Sequence, residues 1–263
     1  MTETAIEIRD LTLMLGKKTV LGGISLDVPL GSHVAVIGPN GAGKTTLLKC
    51  LMGIFRPIGG GIRLFGRPLG DHSRRALART VSFVPQSDEL SSSLSVDDFV
   101  LMGRYPYLDP LAPATAADRN AVDDALRLTD IVSLRHRALD SLSGGERQRA
   151  LVAAVIAQGA KVMLLDEPTG SLDPRHKAEI LGLIEHLRRT LNLTIVTVTH
   201  DINEAALWSD RVVALKQGRV VFSGDGWNLM CGGVLEEVYE KRFVFAAQPD
   251  TGALFVAPEG RPR

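Results

Sequence analysis

Cysteine is scarce: there are two in 263 residues, Cys50 and Cys231, far apart in sequence. Such a pair makes neither a disulfide framework nor a cysteine metal cluster, and it suits a reducing compartment. Neither sign of charge is in excess, because 30 Lys and Arg balance 30 Asp and Glu. Without a basic surplus, non-specific nucleic-acid binding has no driving force, and no nucleic-acid partner is expected. Long apolar runs are missing too. Leu151–Ala157 and Val162–Leu165 fall well short of the ~20 residues of a spanning helix. The N-terminal segment shows no basic stretch followed by an apolar one, so no secretory signal is expected. Any membrane role would therefore come through a partner. Aromatic residues make up only 5% of the chain, and none precedes Phe55. Low-complexity linkers and internal repeats are also lacking.

What is present suffices for a sizeable buried core, with 45% hydrophobic and 23% charged residues. Three short runs, His33–Ile37, Lys161–Leu165 and Thr194–Thr199, are mostly β-branched or apolar and end at polar or glycine residues. They predict strands buried on both faces, as in a parallel sheet. Helical patterns follow them at 44–52, 174–190 and 201–208, and this alternation predicts an α/β fold. The opening differs. Ile6–Leu13 and Ile24–Val28 alternate between apolar and polar, which predicts antiparallel strands with one wet face; Ile62–Phe65 could join them. Apolar residues recur at helical spacing in 96–102, 116–128 and 146–158. One domain is expected, with its core at about 1–86 and 159–263 and a helical subdomain inserted at about 87–158.

Gly38, Pro39, Asn40, Gly41, Ala42, Gly43, Lys44 and Thr45 spell G-x-x-x-x-G-K-[ST] between an expected strand and an expected helix. By composition alone the pattern arises in roughly one chain in a hundred of this length, and its placement makes chance rarer still. Glycines let backbone N–H groups turn inward around phosphate oxygens, and the helix N-terminus favours negative charge. Lys44 is expected to reach the β- and γ-phosphates and the Thr45 hydroxyl to bind Mg²⁺, with Thr46 beside it in the nucleotide-binding set. Asp166 ends an apolar strand, where a carboxylate can hold Mg²⁺ through water. Glu167 follows it, placed to polarise the water that attacks the γ-phosphate. Alone, these acids would equally make a solvated strand end before Pro168. The phosphate loop favours the catalytic role.

Leu142-Ser-Gly-Gly-Glu146, followed by Arg147-Gln-Arg149, lies 24 residues before Asp166. Ser143 with Glu146 also makes a capping box at a helix start. Here the chain resembles the ATP-binding-cassette family, and the resemblance runs along essentially its whole length. Gln86, after the strand Val81–Val84, matches the family's Q-loop. Ser171-Leu-Asp173 matches its D-loop, and His200 its switch histidine. The resemblance implies an α/β P-loop ATPase core with a mainly parallel sheet, an N-terminal antiparallel β subdomain and an inserted helical subdomain. It implies ATP and Mg²⁺, with Thr45, Gln86 and Asp166 at the metal and Lys44, Gln86, Glu167 and His200 in catalysis. It also implies a second copy packed head to tail. ATP then lies between the phosphate loop of one copy and Ser143, Gly144 and Gly145 of the other, with Asp173 linking the half-sites. One position departs from the family. An aromatic usually follows the first strand to stack on adenine, but the matching residue is Leu15. Stacking on an aromatic is worth about 1–3 kcal/mol, so loose base selectivity is expected.

Exporters of the family usually carry membrane segments on the same chain, so separate integral-membrane permease subunits are the expected partners here. Gly103-Arg-Tyr-Pro106 looks like the corresponding segment of ATPase subunits of iron-siderophore, haem and cobalamin importers, as does the tail from Leu235 to Pro258. Contact with the permease is expected near Arg104–Tyr107, and indirect linkage to an extracytoplasmic substrate-binding protein. The chain would then sit at the cytoplasmic face of the inner membrane. Zinc or manganese importers are competing assignments. So is a soluble ATPase acting on ribosomes or DNA, although those often carry two cassettes, coiled-coil insertions or zinc modules.

Overall fold

The computed structural model describes residues 3–86, 92–109, 111–231, 233–249 and 252–260. The elements are β1 (Thr4–Leu15), β2 (Lys18–Pro29), β3 (His33–Ile37), α1 (Lys44–Leu51), β4 (Gly59–Leu64), β5 (Arg67–Pro68), α2 (Arg74–Ala78), β6 (Val81–Val84), α3 (Val96–Met102) and α4 (Ala116–Leu128). They continue with α5 (Gly144–Gln158), β7 (Val162–Asp166), α6 (Pro174–Leu191), β8 (Thr194–Val198), α7 (Ile202–Trp208), β9 (Arg211–Lys216), β10 (Arg219–Gly224), α8 (Gly226–Cys231), α9 (Val234–Tyr239), β11 (Phe243–Ala247) and β12 (Leu254–Pro258). The chain divides into two units, 1–70 with 195–263, and 71–194.

In the first unit, β1 and β2 form an antiparallel hairpin, extended by β4 and β5 in the order β2-β1-β4-β5. Ile6, Ile8, Leu11 and Leu13 are buried, whereas Arg9 and Asp10 are exposed. The strands run longer than simple alternation predicts because bulges carry the pairing onward. One lies between Ile8 and Leu11, where Asp10 takes a φ of 48°. The buried strand β3 is flanked by β8 and β9, both parallel to it, and β10 pairs antiparallel with β9. The apolar residues of β3 are all buried, as expected of a strand covered on both faces. Against this sheet lies a core that includes Ile37, Val212, Ala214, Leu229 and Val238, closed by the β11–β12 hairpin.

In the second unit, β6 and β7 pair in parallel from Val81↔Val162 to Val84↔Leu165. Helices α3, α4 and α5 enclose a core that includes Val96, Val100, Val122, Leu126 and Ala153. Helix α4 starts at a capping box, with Thr115 accepting from the Asp118 N–H and Asp118 accepting from the Thr115 N–H. Helix α6 starts at the Asp173 cap with Pro174 in its first turn.

The strands expected at 33–37 and 81–84 and the helices at 96–102 and 116–128 occur with those bounds. The expected subdomain boundary at 87 lies outside the described residues. No helix among the described residues is long and apolar enough to cross a membrane.

Candidate nucleotide site

The phosphate loop leaves β3 with three glycines in the left-handed half of conformational space, at φ 144° for Gly38, 78° for Gly41 and 102° for Gly43. At two of them space also forbids a side chain. A Cβ on Gly38 would lie 2.1 Å from the Leu215 carbonyl oxygen of β9, and one on Gly43 would lie 2.7 Å from Leu21 Cδ2 of β2. The loop is thus moulded onto both neighbouring strands. Gly43 caps α1 without any side-chain hydrogen bond, and no acid lies in the first turn. The leading N–H groups are therefore not consumed by a side-chain cap, which suits an anion. Lys44 is buried, its Nζ donating to the carbonyls of Gly38 at 2.8 Å and Pro39 at 3.2 Å, while the Thr45 side chain is exposed.

His200 enters by register. Val36 is paired with Val198, and the Thr199 N–H donates to the Val36 carbonyl at 3.2 Å. His200 therefore leaves β8 at the sheet end where the phosphate loop leaves β3, and it is exposed there. Leu15, at the turn of the β1–β2 hairpin whose second strand backs Gly43, is 43% exposed. One supporting residue was not foreseen from sequence. Tyr239, at the end of α9, is half-buried, with its hydroxyl buried and facing the Gly38 N–H outside regular hydrogen-bond geometry. Burial pushes its phenol up to about 12. Nothing in a tail tyrosine announces such a contact, because only tertiary packing brings α9 under the loop.

The acidic pair belongs to the second unit. Val84 of β6 is in register with Leu165 of β7. Gln86, Asp166 and Glu167 therefore emerge at the same end of this strand pair, all half-buried. Glu167 has a φ of 49°, and the Gly170 N–H donates to its carbonyl at 3.1 Å. A non-glycine residue held there is strained, and strain of this kind is maintained by its surroundings. Beside the carboxylate, a Cβ on Gly170 would lie in van der Waals contact, 3.4 Å from Glu167 Oε2. Among the described residues, no group of three or more His, Cys, Asp or Glu side chains could hold a metal ion by itself. Within the second unit, Gln86 and Asp166 each offer a single oxygen donor, and within the first Thr45 offers its hydroxyl, donors of the kind Mg²⁺ takes.

Ser143 caps α5 as its spacing predicts. Its Oγ accepts from the Glu146 N–H at 3.3 Å, and its own N–H donates to Glu146 Oε2 at 2.8 Å. That backbone N–H holds the Glu146 carboxyl below the usual carboxylate range. Ser143 and Gly144 are exposed, and Gly145 is buried. Asp173, also exposed, caps α6 by accepting from the His176 N–H at 3.0 Å.

In the segment Arg104–Tyr107, Arg104 and Pro106 turn inward while both tyrosines are exposed. A Cβ on Gly103 would lie 2.1 Å from the Ala154 carbonyl oxygen, so glycine alone lets the end of α3 lie against α5. Arg104, expected near the permease contact, is largely buried: its side chain is 13% exposed and pairs with Asp118 at 3.0 Å. Its Nη1 donates to the Ala157 carbonyl at 2.8 Å, where α5 ends. Tyr107 lies between guanidiniums, 3.9 Å from that of Arg104 and 4.7 Å from that of Arg79. Arg79 also donates twice to the Pro106 carbonyl. Tyr105 projects outward at 76% exposure, Tyr107 is exposed to a lesser degree at 36%, and Met102 is exposed on the preceding turn.

Comparison with known proteins agrees with this geometry. The family profile described as ABC transporter matches residues 21–170. The ferric enterobactin transport ATP-binding protein FepC of Escherichia coli (strain K12) is 35% identical over 99% of this chain and 97% of its own length. The hemin import ATP-binding protein HmuV of Streptomyces coelicolor is 38% identical over 96% and 89%. Among solved structures, a metal-chelate type ABC transporter in an inward-facing conformation superposes with a TM-score of 0.86 at 28% identity, covering 98% of both chains. The phosphate loop, the serine-glycine cap of α5 and the acid pair at the end of β7 all fall inside the profile, and by that match and these relatives the chain belongs to the ABC transporter family, as an ATP-binding component.

Proposed function

We propose that this chain is the ATP-hydrolysing subunit of a multi-subunit importer for a metal chelate of the iron-siderophore, haem or cobalamin type. It would lie at the cytoplasmic face of the membrane, bound to permease subunits. The observation that carries this is the nearly complete coverage of siderophore and hemin import relatives, on a chain that presents both a phosphate loop and an α5 signature cap.

The triphosphate enters the loop at α1. Inward N–H groups and the Lys44 ammonium offset its charge there. The Thr45 hydroxyl, Asp166 and Gln86 would hold Mg²⁺, which would neutralise charge on the triphosphate. Glu167 orients the attacking water and takes its proton. His200 donates to the γ-phosphate. Ser143, Gly144 and Gly145 of a second copy close the site from the other side, and Asp173 links the two half-sites. Little covalent chemistry falls to the protein, so catalysis is positioning plus charge stabilisation.

Tyr105 and Met102 form the contact to the permease, and Arg104 holds that surface in place from within. The test is a pull-down of tagged Glu167→Gln chain from detergent-solubilised host membranes with ATP. Recovery of a polytopic membrane protein, lost with Tyr105→Ala, is the expected result. Recovery of only ribosomes, DNA or soluble proteins would overturn the importer assignment.

A further inference from the structure

One side chain outside the expected set joins two of the segments assigned to the second copy's nucleotide. His176, in the first turn of α6, points its Nδ1 at Asp173 Oδ2, 2.7 Å away. Asp173 also accepts from the His176 backbone N–H at 3.0 Å. These two bonds hold the Asp173 carboxyl below the usual carboxylate range. The opposite edge of the ring covers the α5 cap. A Cβ on Gly145 would lie 2.8 Å from His176 Cδ2 and 3.3 Å from its Cγ. Gly145 has a helical backbone and no positive φ. A side chain at position 145 would have to displace the imidazole that fills this space. The neighbouring pair repeats the contact more loosely, with a Cβ on Gly144 lying 3.4 Å from Leu172 Cδ2. Farther along, Arg149 of α5 meets Glu179 of α6 at 3.5 Å, and Arg175 meets the same carboxylate at 3.1 Å.

We propose that His176 is a positioning residue that locks the α5 cap to the loop carrying Asp173, so that both reach a second copy's nucleotide as one piece. It contacts neither the nucleotide nor the attacking water. It acts through Asp173, whose rotamer it fixes, and through Gly145, whose approach it limits. A carboxylate that must find its place across an interface loses side-chain freedom on arrival. Fixing it beforehand removes that cost. The proposal rests on the assignment of Ser143, Gly144, Gly145 and Asp173 to a site shared by two copies.

Three variants separate the hydrogen bond from the packing. Asparagine keeps a nitrogen donor at the same number of bonds from Cβ and places an oxygen where Cδ2 stands. Phenylalanine keeps a ring but no donor, and alanine removes both. The measurements are steady-state ATP hydrolysis and ATP-driven dimerisation in a Glu167→Gln background, by sedimentation. The expected result is a kcat lower by about tenfold for His176→Ala and His176→Phe, with KM for ATP within about twofold. His176→Asn should recover to within about threefold of the parent. Dimerisation of Glu167→Gln should weaken by a similar factor on adding His176→Ala. Parental kinetics in all three variants, or His176→Asn as slow as His176→Ala, would overturn the proposal. Dimerisation of Glu167→Gln that His176→Ala leaves unchanged overturns the role of His176 alone. Failure of Glu167→Gln itself to dimerise with ATP overturns the two-copy assignment and the proposal with it.

Discussion

At the scale of single residues, Glu167 combines a strained backbone at φ 49° with a position one residue beyond the end of β7. Replacing it by glutamine keeps size and shape but removes the proton acceptor. Glu167→Gln should retain ATP binding while turnover falls by roughly 10²-fold, measured as phosphate release alongside equilibrium binding. Undiminished turnover would remove Glu167 from the reaction. Leu15 bears on base choice. It is exposed at 43% on the hairpin that backs the phosphate loop, and an aliphatic side chain offers adenine contact area without a π face. Turnover with GTP should be comparable to that with ATP. A strong preference for ATP would show that other groups read the base.

At the scale of elements, an ion pair between Arg104 and Asp118 ties the end of α3 to α4 within the helical bundle. Arg104 and Asp118 are 13% and 5% exposed, and Asp118 also accepts from the Thr115 hydroxyl at 2.6 Å. The Thr115 hydroxyl and then Arg104 hold the Asp118 carboxyl below its usual range. Arg104→Ala leaves that carboxylate buried with its charge unpaired, and should cost about 3 kcal/mol in chemical denaturation. The pH dependence has a definite sign. A carboxyl whose folded pKa is depressed contributes stability above its unfolded pKa of about 3.9, and that stability is lost as pH falls through the folded value. The stability gap between the parent and Asp118→Asn should therefore close on acidification below about pH 4. A gap that widens would contradict the assignment.

Legibility in the sequence followed the same division. Residues whose pattern is local were readable: the phosphate loop, the Ser143–Glu146 capping box, the continuous apolar run of β3 and the apolar spacing of α3 and α4. Less local features were not. β9 carries Val212-Val-Ala-Leu215, a run short enough to read as strand or helix; its pairing with β3 decides. Arg104 could not be assigned from its neighbours, because its partners Asp118 and Ala157 come from two other helices. Tyr239 and His176 likewise gain their significance from glycines distant in sequence, Gly38 and Gly145.

At the scale of the whole molecule, the chain presents two helix starts of opposite design. Helix α1 begins at a glycine with no side-chain cap, and α5 begins at a serine whose hydroxyl is paired with its own turn. An uncapped start is suited to embracing phosphate closely, and a capped, exposed one to approaching it from outside. Assigning the second to a neighbouring copy makes hydrolysis a property of the pair, and ATP a ligand that favours association. The direct measurement is ATP hydrolysis per chain as a function of chain concentration, with Glu167→Gln chain titrated into the parent. A rate per chain that rises with concentration, and that falls as inactive copies enter the pairs, is the expected result. A rate per chain independent of concentration down to about nanomolar levels, and indifferent to added Glu167→Gln chain, would show that one copy hydrolyses ATP alone.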